Sequence, residues 1–101
     1  MRMLVNFQFP IEPFNTMARE GTVGKIIESV LAEIKPEAVY FYAPNGCRGG
    51  SMVVNLDSAS QIPSVAEPLF LKFGAKCEFH VAMTPDDLAR SGLGELGKRW
   101  R

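Results

Sequence analysis

Met3-Leu4-Val5-Asn6-Phe7-Gln8-Phe9 decides how the rest of the chain is read. Its apolar residues recur at every second position and alternate with Leu4, Asn6 and Gln8, the repeat of a strand with one face buried. Outward from it the period changes. Val23-Ile26-Ile27-Val30-Leu31-Ile34 and Ile62-Val65-Ala66-Leu69-Phe70-Phe73 follow a helical repeat. Strands are predicted at about 38–43 and 51–56. Residues 75–83 form another, with Ala75, Cys77, Phe79, Val81 and Met83 set against Lys76, Glu78, His80 and Ala82. The order is βαββαβ, an α+β domain.

Local signals fill in the connections. Pro10 stops the first strand, and Asn15 or Thr16 is a candidate cap for an early helical turn. Pro36 stops the first long helix, and Asn45-Gly46-Cys47-Arg48-Gly49-Gly50 reads as a hairpin loop. Pro68 is expected to kink or divide the second helix. Thr84-Pro85-Asp86-Asp87 has the chemistry of a helix start: a cap, a proline at the first position and carboxylates near the positive dipole end. The tail from about 84 to 101, with Leu88, Leu93, Leu96 and Trp100, is expected to pack on the body or on a partner chain.

The 101 residues suit one domain, with its core in about 1–83. A chain of this size buries roughly 60–70% of its unfolded surface and can fold without disulfide or metal. Eleven basic and eleven acidic side chains cancel, and only Lys98-Arg99-Trp100-Arg101 is locally basic. That argues against nucleic acid as a partner. No apolar run is long enough to span a bilayer, and the N-terminus reaches Asn6 too early for a secretory core. With two cysteines, Cys47 and Cys77, and no disulfide framework, a cytoplasmic protein without a membrane partner is expected.

Right-handed crossovers put both long helices on one face of the sheet. The uniformly apolar set on Met3, Val5, Phe7, Phe9, Met52 and Val54, continued by Cys77, Phe79, Val81 and Met83, belongs beneath them. The other face then carries Leu4, Asn6, Gln8, Tyr40, Tyr42, Val53, Asn55, Glu78 and His80. This face is too apolar for open water and too polar for a dry core, so a covered pocket or a second subunit is expected over it. In the ferredoxin-like strand order 4-1-3-2, Asn6, Gln8, Asn55 and His80 come within reach of one another.

His80 is the only histidine. It stands two residues from Glu78 on the same strand face, ~7 Å apart at Cα, which makes it the candidate acid/base with Glu78 as partner. The competing reading is a histidine filling a hydrated dimer interior. Tyr40 and Tyr42 suit aromatic or carbonyl ligands, or interface packing. Asn6, Gln8 and Asn55 are candidate ligand-binding amides, since buried amides need partners. The loop around Arg48 lacks a phosphate-loop pattern and precedes a strand, so it reads as a turn. One histidine without clustered cysteines or carboxylates gives no metal site, and no cofactor is expected.

Three stretches carry a resemblance: REGTVGKIIESVLAEIKPEAVYF (Arg19–Phe41), SMVVNLDSASQIPSVAEPLFLKF (Ser51–Phe73) and EFHVAMTPDDLARSGLGELGKRW (Glu78–Trp100). Together they resemble a family of short bacterial proteins without an assigned activity. The βαββαβ pattern is similar to the dimeric α+β barrel superfamily, which includes muconolactone isomerase, small cofactor-free monooxygenases and stress-responsive barrel proteins. None of those enzymes' catalytic motifs is present. The resemblance therefore implies a homodimer and a barrel-shaped cavity, and no particular reaction. Two functions follow: a dimer that binds or transforms a small organic molecule, or a non-catalytic interaction or stress-associated dimer without a pocket. The first needs a cavity of roughly 300 Å³ or more.

Overall fold

The computed structural model describes residues 1–101. Strand β1 (Arg2–Gln8) is followed by helices α1 (Phe14–Glu20) and α2 (Val23–Ile34), then β2 (Ala38–Tyr42) and β3 (Gly49–Asn55). Helix α3 (Ile62–Phe73), β4 (Lys76–Val81), α4 (Pro85–Ala89) and α5 (Leu93–Arg99) complete the chain. The result is an α+β protein with one four-stranded antiparallel sheet, ordered β2-β3-β1-β4.

The alternation in β1 sorts its residues as its pattern requires. Met3, Val5 and Phe7 are buried, and Phe9 just beyond the strand joins them. They pack with Met52, Val54 and Leu56, beneath Val30 of α2 and Val65, Leu69 and Phe73 of α3. Phe73 and Val5 are wholly buried, and the Phe9 ring lies 4.8 Å from that of Phe73. Both long helices thus cover one face. The apolar repeat of β4 does not stay covered to its end: Val81 and Met83 are 66% and 67% exposed, at and beyond the last residue of a strand on the sheet's edge.

Several local expectations change. Neither Asn15 nor Thr16 caps α1, whose N-cap position is Pro13; Gly21, at φ 73°, ends it as a separate short helix. Thr16 instead donates from its N–H and hydroxyl to the Glu12 carboxylate, at 3.2 and 2.7 Å. Pro68 does not divide α3, which runs unbroken from Ile62 to Phe73. Burial of Val65, Ala66, Leu69 and Phe73 holds both sides of the proline to one core, outweighing the loss of one backbone bond.

The hairpin is tighter than expected. Pro44–Gly46 forms a 3₁₀ turn with Asn45 and Gly46 at positive φ, and Gly49 and Gly50 belong to β3 rather than to the loop. A Cβ on Gly50 would run into the Tyr40 carbonyl oxygen and lie 2.9 Å from the Phe7 ring. Close approach of three strands is the reason for glycine there. Arg48 closes the loop, donating to Asn15 Oδ1 at 2.6 Å with its guanidinium 4.4 Å from the Phe14 ring centre.

Helices α4 and α5 stand apart from this body. Thr84 caps α4 reciprocally with Asp87: the Thr84 hydroxyl accepts from the Asp87 N–H, and the Asp87 carboxylate accepts from the Thr84 N–H. Yet every residue from Pro85 to Arg101 is exposed, so the tail does not pack back on its own chain. The molecule measures 59 × 28 × 19 Å, with a radius of gyration of 17.1 Å, against about 13 Å for a compact chain of this length.

Candidate functional site

The face of the sheet away from the helices is ordered in cross-strand rows. In antiparallel pairing, residues directly opposite share a face. Leu4 lies between Val53 and His80, Asn6 between Ser51 and Glu78, and Gln8 between Gly49 and Lys76. On β2, Tyr40 stands opposite Ser51 and Tyr42 opposite Gly49, so both phenols share this open face. Arg2, opposite Asn55, begins the face and pairs with Glu37 at 3.0 Å.

The polar groups of the middle row are linked. Ser51 Oγ donates to Asn6 Oδ1 at 2.6 Å, and Tyr42 Oη is hydrogen-bonded to Ser51 Oγ. Since the serine proton is given to Asn6, the phenol is the donor to Ser51. The line runs Tyr42 to Ser51 to Asn6 across three strands. Gln8 Oε1 accepts from Asn45 Nδ2 at 3.1 Å. With both carbonyl oxygens engaged as acceptors, Asn6 and Gln8 turn their amide N–H groups to other partners.

Asn6, Gln8, Tyr42 and Asn45 line a hollow of about 210 Å³ with Phe7, Pro44, Gly50, Lys76 and Glu78. Its floor combines donors from Asn6, Gln8 and Lys76 with one carboxylate, Glu78. That set suits a ligand rich in acceptor oxygens. The volume lies below the ~300–1,000 Å³ usual for small-molecule pockets, and one side is open. A larger, shallower groove of about 500 Å³ lies beside the hairpin against Phe9, Phe14 and Phe41. Its one charged group, Arg48, is already held by Asn15 and Phe14.

Asn6, Gln8, Tyr42 and Glu78 therefore come together, while other candidates fall elsewhere. Asn55 sits at the far end of the face, where its Oδ1 accepts from the Met1 amino group at 3.0 Å; it anchors the N-terminus and does not approach Gln8. His80 is one row from the hollow and does not line it. Its Nε2 is 3.4 Å from Glu78 Oε2, with the two side chains 55% and 73% exposed, so the pair forms across the strand face in open surroundings. Tyr40 is 71% exposed and also stays outside the hollow. The antiparallel register keeps His80 beside Leu4 and Asn55 beside Arg2, which separates four residues that alternation alone had placed on one face.

Ser51, which links Tyr42 to Asn6, and Lys76 and Asn45, which line the hollow, are residues that the sequence reading passed over. Alternation contained the signal for the first two: Ser51 shares parity with Val53 and Asn55, and Lys76 with Glu78 and His80. Asn45 arrives through the turn.

Two groups near the body have displaced acidities. The bonds from Thr16, helped by the Arg19 and Arg48 charges, hold the Glu12 carboxyl below its ordinary value. Burial pushes the Cys77 thiol up to about 11, which suits an inert, half-buried core cysteine. No three His, Cys, Asp or Glu side chains converge to hold a metal ion. No helix is long and apolar enough to cross a membrane. No protein-family model matches the chain, and no curated protein is similar to it in sequence.

Proposed function

We propose that this protein is a homodimer whose open sheet faces enclose a site for a small organic molecule bearing carbonyl or carboxylate oxygens. The observation that carries the reading is the line Tyr42–Ser51–Asn6, which commits the Asn6 oxygen and frees its amide N–H beside Lys76 and Glu78. An isolated interaction surface has no need to orient an amide through two hydroxyls. The strand order, with α2 and α3 on one face, supports a ferredoxin-like frame paired as a dimeric α+β barrel. In that pairing the second copy closes the open side of the hollow. His80 with Glu78 supplies the acid/base group for any proton transfer at the margin of the site.

The test is an NMR titration of the full chain with benzoate and with acetophenone. The expected result is saturable displacement of the Asn6 and Gln8 side-chain amide signals, lost in Asn6→Ala and kept in Asn55→Ala. Absence of any displacement at millimolar probe would refute the site. The second reading, a dimer without a ligand, is favoured by the 210 Å³ volume of the single-chain hollow; it predicts that outcome together with an intact dimer.

A further inference from the structure

Helices α4 and α5 have five and seven residues. Isolated helices below about 12–15 residues are marginal in water, and their stability in proteins comes from packing an apolar stripe. Leu93, Leu96 and Trp100 recur at the third and seventh positions and so share one side of α5, while Glu95, Lys98 and Arg99 occupy the other. Nothing in the same chain covers that stripe: Leu93 is 61% and Trp100 80% exposed. The local ties within the arm, the Thr84–Asp87 box and the Asp87–Arg90 and Glu95–Lys98 pairs, hold its turns but bury no apolar surface.

We infer that the arm from Pro85 to Arg101 docks on the open sheet face of a second copy of this chain, as the wall that closes the hollow of Asn6, Tyr42 and Glu78. The inference rests on the dimer proposed above and names the segment that completes its site. Three observations select this occupant. The arm leaves the body directly from β4, where the Ala82 N–H still donates to the Arg2 carbonyl at 2.9 Å, so it starts at the margin of the open face. The row of Leu4 and Val53, flanked by Tyr40, offers an apolar strip for the Leu93–Leu96–Trp100 side. Finally, the docking side of the arm adds to the outward residues of the sheet, which alone fall short of the ~20–30 residues per side of a standard interface.

Trp100, the only tryptophan, reports on this docking in the unmodified chain. Its emission is expected to shift to the red on dilution through the dimer dissociation constant, and Leu96→Asp is expected to raise that constant by 100-fold or more. The face is located with a nitroxide on Arg101→Cys in a Cys47→Ser, Cys77→Val background, mixed with a ¹⁵N-labelled second copy. Broadening strongest at Leu4, Tyr40 and Val53 of the labelled copy is the expected result. A dimer in which broadening falls on the helical face, or on no residue of the other copy, overturns the arm docking and leaves the dimer standing. A monomer by sedimentation at micromolar concentration overturns both.

Discussion

Neighbouring residues of β1 lie one position apart and meet opposite fates. Met3, Val5 and Phe7 disappear under two helices, while Leu4, Asn6 and Gln8 face a surface that the single chain leaves uncovered. The covered face is apolar throughout and derives its stability from packing. The open face mixes leucine, valine and tyrosine with amides joined by hydrogen bonds, which is costly in a dry core and unnecessary in open water. One face holds the fold, and the other has the mixed character that fits the covering proposed above.

The sharpest way to break that contrast is to truncate a side chain on each face. Phe73→Ala should cost about 3–5 kcal/mol in urea unfolding, since Phe73 is wholly buried against Phe9 and Val5. Leu4→Ala should cost under about 1 kcal/mol at concentrations where the chain is monomeric, and more where it dimerises. Equal losses in dilute solution would mean the open face is already part of the core.

Ser51→Ala is a finer probe of the open face. It removes the hydroxyl that joins Tyr42 to Asn6, and should lower stability by about 1 kcal/mol while letting the Asn6 amide rotate. Loss of the slow, well-dispersed Asn6 side-chain amide signal would show that Ser51 orients it. An unchanged signal would assign that order to other contacts.

The last expected effect lies on the covered face and emerges only at alkaline pH. The Cys77 thiol is raised from 9.0 to about 11 by burial, so the folded chain holds its proton where the unfolded chain gives it up. The contribution is fully present below pH 9 and lost as the pH rises towards 11. Thermal melts should therefore show stability falling across that interval in the native chain, with a flatter profile in Cys77→Val. Matching slopes would mean that water reaches the sulfur.

Much of this fold was legible in the residues because two periods, 2.0 and 3.6, act locally. The strands, the helix at Val23–Ile34 and the Thr84 cap needed only neighbours in sequence. The division expected at Pro68 does not occur because the core contacts of Val65 and Phe73, which keep α3 whole, are long-range. Half of the site was legible for the same reason: alternation put Asn6, Gln8, Tyr42 and Glu78 on one face. It could not separate His80 and Asn55 from them, since parity identifies a face but not a row.

From the sequence alone come the four strands, the two long helices and the apolar face of β1 and β3, because backbone period and side-chain polarity are properties of neighbouring residues. Tertiary structure alone decided the register that makes Tyr42, Ser51 and Asn6 a hydrogen-bonded line, the continuity of α3 through Pro68, and the projection of the arm beyond Thr84. Each of these depends on distances between segments remote in the chain, which are set only when the core under α2 and α3 closes.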